Sequence, residues 1–195
     1  MVDTYSSFDE LSAHEVEGRD FTIIREKRDS NVLIMAPHGG KIEKWTSEIA
    51  LALAGNNYSY YIFEGKKFQN NYKMLHITST CFDEPKALEI ASSSDYIVAI
   101  HGERNTEKEI VYIGGMNKNL REEITRTLTQ NEFLVEIHKS AHLQGTNINN
   151  ICNRSKYNGV QLELTYKLRE KLHSSSEVMT RFTSAVREGL SSCFV

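Results

Sequence analysis

Short apolar runs recur along the chain, each bounded by Gly, Pro, Asn, Asp or Ser, and their spacing sets the expected architecture. Val32 to Ala36 and Tyr96 to Ile100 are continuously apolar, the pattern of strands covered on both faces. Phe21 to Ile24, Tyr58 to Phe63, Ile110 to Ile113, Phe133 to Ile137 and Val160 to Leu164 are further strand candidates. Pro37 is expected to end the ladder of the Val32 strand, because it has no N–H to donate.

Helical patterns fall between these runs. Phe8, Leu11 and Val16 suggest a short amphipathic helix ending near Gly18. Ser47 to Ala54 reads as a helix with Thr46 as its N-cap and Gly55 as its stop. Asp83-Glu84-Pro85 is a capped start leading into Ala87 to Ala91, and Leu120 to Leu128 is a further helix. Met179, Phe182, Val186 and Leu190 mark one face of a closing helix.

Strand and helix in alternation predict an α/β fold, a three-layer sandwich whose mainly parallel or mixed central sheet carries helices on both faces. Ligands in such sheets bind beyond the carboxyl ends of the strands, and His38 and His101 fall there. Gly65 to Asn71 and Ser140 to Asn158 read as long surface loops of the kind that bind substrate. A length of 195 residues, without an internal repeat or a Pro/Ser-rich linker, points to one domain over 1–195.

Composition narrows the function classes. A net charge of -3 leaves no broad cationic surface, which argues against nucleic acid as a partner. Cys81, Cys152 and Cys193 are widely spaced and form no C-x-x-C, so they read as free thiols in a reducing compartment. Met1 to Glu10 lacks the basic and apolar regions of a secretory signal, and no run is long enough to span a bilayer. The protein as synthesised is expected in the cytoplasm, without a membrane partner and as a monomer.

His38-Gly39-Gly40-Lys41-Ile42-Glu43 sets an imidazole and a carboxylate at the end of one buried strand, and His101 ends another. Two nitrogen ligands and one oxygen ligand, with a fourth position open, is how a catalytic zinc site is built. A lone histidine is more often structural, and seven are present; the adjoining glycines let the backbone turn tightly enough to bring ligands together. Glu48 is the second choice of oxygen ligand, though the helix dipole alone accounts for it. His76 either lines the site or donates a core hydrogen bond, while His14, His138, His142 and His173 have weaker claims.

In Val160-Gln161-Leu162-Glu163-Leu164, Gln161 and Glu163 share one strand face. Either that face is exposed on an edge, or Glu163 is a general base. Asn153-Arg154 lies in the preceding loop, where an arginine is ordinarily just solvated; a substrate carboxylate would give it a bidentate partner. Gly39-Gly40 could cradle a phosphate, but neither nucleotide-binding glycine motif follows a strand here.

Six separated blocks, in order, resemble the poly-γ-glutamate hydrolase family: Ala36 to Glu43; Leu75 to Thr80 with Phe82 to Pro85; Ile100-His101-Gly102; Tyr112 to Gly115; Asn150 to Arg154; and Gly159 to Leu164. The likeness runs from Tyr5-Ser6-Ser7-Phe8 to about Arg169. It implies a phage or bacterial protein with a zinc carboxypeptidase-like fold and one Zn2+ per chain held by His38, Glu43 and His101. It further implies Glu163 as general base and Asn153-Arg154 as holders of a substrate carboxylate. The implied reaction is hydrolysis of γ-glutamyl amide bonds in poly-γ-glutamate, an extracellular polymer that a cytoplasmic enzyme would meet after cell lysis.

Two departures accompany the likeness. Carboxypeptidases commonly space their first ligands H-x-x-E, whereas four residues separate His38 from Glu43. Glu103-Arg104 and Tyr166-Lys167 stand where small or glycine-rich residues are expected, which bears on substrate preference. The rival expectations are a peptidase acting on γ-linked glutamate in cell-wall peptides and a non-catalytic module that binds an acidic ligand. A structural zinc would need a fourth protein ligand, with Cys152 or His76 the first candidates.

Overall fold

The structure, a computed structural model, describes residues 3–193; Met1, Val2, Phe194 and Val195 lie outside the described residues, with those parts of the expected N-terminal reading and domain span. The chain runs α1 (Phe8–Ser12), β1 (Phe21–Glu26), β2 (Val32–Gly40), α2 (Thr46–Ala54), β3 (Ser59–Gly65), α3 (Asn71–Leu75), α4 (Pro85–Ser92), β4 (Tyr96–Glu103), β5 (Ile110–Gly115), α5 (Lys118–Gln130), β6 (Leu134–Glu136), β7 (Val160–Thr165), α6 (Tyr166–Ser174) and α7 (Ser176–Ser191). Single 3-10 turns occupy Ala141–Leu143 and Ile151–Asn153.

The seven strands form one mixed sheet in the order β1-β3-β2-β4-β7-β5-β6. Its middle, β3-β2-β4-β7, is parallel, while β1 on β3 and β5 on β7 run antiparallel. Alternation along each strand divides the apolar residues between two cores. Val32, Ile34, Val98, Ile100, Leu162 and their neighbours pack beneath α2, α5, α6 and α7. Leu33, Met35, Ile97 and Ala99 pack on the other face beneath α1, α3 and α4. The three layers expected from the sequence are therefore present, each sheet face burying its own set of side chains.

Several local expectations need correction. The Val32 strand does not stop at Pro37 but continues to Gly40. Pairing with β4 ends at Met35, and pairing with β3 shifts register between Ala36 and Gly39. Proline has opened the ladder without ending the strand. Thr46 is not the N-cap of α2; Trp45 is, in the left-handed region at φ 73°. The Thr46 hydroxyl instead donates to the Glu43 carbonyl at 2.8 Å and closes the turn after β2.

Helix α1 ends at Ser12, and Val16 is exposed. Helices α3 and α6 were not expected; α6 starts directly from β7, with the Thr165 side chain accepting from the Leu168 N–H. Helix α4 matches its predicted start, Glu84 accepting from the Ala87 N–H and Pro85 taking the first turn. All three cysteines are free. Among the described residues no helix is long and apolar enough to cross a membrane.

Candidate active site

The parallel strands β2, β4 and β7 point their carboxyl ends the same way, and the candidate side chains collect there. His38 lies near the end of β2 and His101 near the end of β4. Glu43 is brought back by a turn in which the Glu43 N–H donates to the His38 carbonyl at 2.9 Å. Gly40 supplies that turn with φ +61°, and a Cβ there would meet the Gly65 carbonyl oxygen at 2.7 Å. The four residues between His38 and Glu43 are thus absorbed by a bulged strand end and one left-handed glycine.

Three ligand-type groups converge. His38 Nδ1 is 3.2 Å from His101 Nδ1 and 3.3 Å from Glu43 Oε1, and His101 Nδ1 is 3.6 Å from Glu43 Oε2. Four ligands at about 2.0–2.1 Å from a common centre stand about 3.3 Å apart in a tetrahedron, so these separations fit the edges of a zinc site. Two imidazole nitrogens facing one another within hydrogen-bond distance, beside a carboxylate, form a donor set a divalent cation would satisfy. The far nitrogen of His38 meets the Ile77 carbonyl at 2.8 Å, the outer hydrogen bond that fixes ring orientation in metal-binding histidines. The second oxygen of Glu43 accepts from the Gly102 N–H at 2.7 Å.

His76 is a third nitrogen source. Its ring lies 4.1 Å from that of His38, and its ligand atom groups with those of His38 and Glu43 within 4.8 Å. Asp3 holds His76 Nδ1 at 2.7 Å. Burial, then the charge of His38, pushes the His76 pKa down to about 4. At Glu43, burial alone would raise the pKa, but the two histidines outweigh it and hold the group well below the carboxylate range. His38 is raised correspondingly, the Glu43 carboxylate overcoming the cost of burial.

Glu163 is the register partner of His101 on the neighbouring strand, and both side chains point to the face opposite Ile100 and Leu162. Strand β7 lies between β4 and β5, so the exposed-edge account of this glutamate does not hold. Burial is the main cause that raises the Glu163 pKa to about 7; His101 opposes it, and Glu43 and Glu103 add to it. Gln161 Nε2 donates to Glu163 Oε1 at 3.1 Å and to the Leu143 carbonyl at 3.0 Å, while Asn150 donates to Gln161 Oε1 at 2.9 Å. That chain holds the carboxylate in one orientation.

Asn153 and Arg154 are not brought to these groups. The Asn153 amide is buried and spent on the backbone, donating to the Gly145 and Asn147 carbonyls and accepting from the Met116 N–H. Arg154 is exposed and donates to Asn149 at 3.2 Å. Neither lines the cavity of about 480 Å3 that holds His38, Glu43, His101 and Glu163. The cavity wall includes instead Tyr72, His76, Ser79, Arg104 and His142, together with Asp3 from the far N-terminal end. Of these, the sequence offered His76 as a possible lining residue, Arg104 as a departure bearing on substrate preference and His142 as a weaker candidate, while Tyr72 and Asp3 were missed.

Beneath the cavity, Arg169 donates to the carbonyls of Leu164, Lys44 and Glu103, tying together the segments that carry Glu163, Glu43 and His101.

Residues 5–192 match the model of the family described as poly-gamma-glutamate hydrolase. The chain belongs to that family. Among curated relatives, the SPbeta prophage-derived UPF0714 protein YoqZ of Bacillus subtilis strain 168 is 39% identical over 190 residues, covering 96% of this chain and 66% of that one. A solved bacteriophage poly-gamma-glutamate hydrolase superposes with a TM-score of 0.92 at 26% identity, covering 98% of both chains. A zinc-free apo structure of YndL superposes at 0.91 with 31% identity over the whole of both chains. The α/β fold is thus the fold of a hydrolase family.

Proposed function

We propose that this chain is a zinc-dependent hydrolase of γ-glutamyl amide bonds in poly-γ-glutamate, with His38, Glu43 and His101 holding one zinc ion and Glu163 serving as general base. Residues 1–195 would form its single catalytic domain, working as a monomer. The observation that carries the reading is the closure of two Nδ1 atoms and one carboxylate to 3.2–3.6 Å beside a buried glutamate on the adjacent strand. The names of the two similar structures, a poly-gamma-glutamate hydrolase and a zinc-free YndL, support the substrate and the metal.

When bound, zinc supplies Lewis acidity, polarising an amide carbonyl and making a water more acidic. The remaining work belongs to the side chains. With Gln161 donating to Oε1, the free Oε2 of Glu163 takes the proton of the attacking water. The resulting carboxylic acid returns that proton to the nitrogen of the departing amine. Burial raises the Glu163 carboxyl above its ordinary range, which makes it a stronger base than an exposed glutamate. The neutral amide of Gln161 steadies Oε1 without adding charge.

Metal analysis of the purified protein, combined with an assay on poly-γ-glutamate before and after chelation, tests the metal. Activity should vanish with the chelator and return with zinc; a metal-free, fully active protein would overturn the reading. Glu163→Gln should abolish turnover with zinc still bound, and unchanged turnover would remove Glu163 from its role.

A further inference from the structure

We propose that Arg104 grips the free α-carboxylate of a γ-glutamyl unit beside the scissile amide, and so sets the preference for an anionic substrate. This rests on the reading of the chain as a γ-glutamyl hydrolase and assigns the cationic side chain that reading lacks. A γ-linked glutamate polymer carries one free carboxylate per residue. The cavity that must admit it is lined by Asp3, Glu43, Glu103 and Glu163 in a chain of net charge -3. The zinc proposed on Glu43 and the histidines offsets part of that charge, but Asp3 and Glu103 would still repel a second carboxylate unless a side-chain cation stood nearby.

Arg104 is the one lysine or arginine among the residues lining that cavity. It is exposed, and among the described residues no carboxylate lies within ion-pair distance of it. The neighbouring Glu103 carboxylate accepts instead from the Asn105 N–H at 2.8 Å. Other cations nearby are occupied: Lys67 pairs with Glu15 and Asp20, and Lys41 donates to the Lys66 and Lys67 carbonyls.

The guanidinium is also held in place. Its central carbon sits 4.4 Å from the Tyr72 ring centroid; Tyr72 stacks on His76 at 4.6 Å, and His76 lies against His38 at 4.1 Å. A continuous stack therefore runs from the candidate metal group to the cation. The Tyr72 ring and its hydroxyl both hold the guanidinium, which has five N–H donors and so keeps others for a substrate carboxylate, with little side-chain entropy left to lose on binding. Arg104 thus meets the geometric requirement that Arg154 does not.

The test compares a synthetic γ-linked glutamate oligomer with the same oligomer bearing primary amides in place of its α-carboxyls. Wild type should favour the acid. Arg104→Ala should lower kcat/KM on the acid by roughly 10–100-fold, the scale of a lost charge-assisted hydrogen-bonded pair, and shrink the acid-to-amide ratio by the same factor. Arg104→Lys keeps the charge without the fork and should fall between. Tyr72→Ala should lose part of the selectivity, and Tyr72→Phe, which keeps the ring but not the hydroxyl, should lose less. Equal losses on both substrates would make Arg104 an oxyanion or structural group and overturn the inference, as would an unaltered ratio. Wild type that cleaves neither oligomer would instead defeat the hydrolase reading, and this inference with it.

Discussion

Replacing Arg169 with methionine should cost the fold about 3 kcal/mol, because the guanidinium is a shared donor to the carbonyls of three chain segments. Arg169 is buried on α6, and its Nε donates to the Leu164 carbonyl and one terminal nitrogen to the Glu103 carbonyl, each at 3.0 Å, while the other meets the Lys44 carbonyl. Methionine fills much of the same space but leaves all three acceptors without a donor. Each stranded buried acceptor costs about 1–3 kcal/mol. Two of the three bonds are only part-buried, so water restores some of that loss. Removing a desolvated cation, whose pKa burial lowers, offsets more.

The balance is about 3 kcal/mol, roughly 6–12 °C in Tm for a chain of this size. Equilibrium urea unfolding at pH 7, followed by fluorescence of the single tryptophan, measures it. Trp45 stands beside Lys44 and stacks on His173 at 5.2 Å, so it reports on this corner of the fold. Arg169→Lys should recover part of the loss, since an ammonium can serve some of these carbonyls but lacks the planar fork. A loss below about 1 kcal/mol for the methionine variant would show that the three carbonyls are satisfied without the guanidinium, and the tying role would be wrong.

His101→Ala should yield protein without zinc, whereas His76→Ala should keep one zinc per chain, by metal analysis after gel filtration; the reverse pattern would make His76 the third ligand. Asp20 is held at about 2, against an ordinary 3.8, chiefly by the Arg19 side chain and then by the Val16 N–H. Its stabilising contribution is therefore complete above pH 4 and disappears as pH falls toward 2. Asp20→Asn should unfold at lower urea than wild type at pH 6, with the gap closing across that acid window; a gap constant from pH 6 to pH 2.5 would refute the assignment.

The parts of the site legible in the sequence were those announced by a local conflict. A histidine closing an apolar run, or a glutamate inside one, is out of place on packing grounds, and His38, His101 and Glu163 each stand out this way. Their meeting was not legible, because it depends on β7 crossing back to pair with β4 and setting Glu163 opposite His101. The pairing joins strands about sixty residues apart, and no local pattern encodes it. Asp3 is the extreme case, a carboxylate near the chain start whose partners His76 and Thr78 are more than seventy residues away.

Arg154 shows the converse limit. A cation in a loop before a catalytic-looking strand carries no sign of direction, and here the loop spends Asn150 and Asn153 on its own backbone and on Gln161, turning Arg154 to solvent. Arg104 looked like a family oddity by sequence because its value lies in what surrounds it, an acid-lined cavity and a tyrosine face supplied by α3. Helix α3 was itself unexpected, lying at the edge of a region that reads as loop. The charge balance of the whole chain argues against an anionic substrate; the charge within reach of one ring does not. For a ligand a few ångströms across, the second is the quantity that decides, since screening in water removes the net field beyond about 8–10 Å.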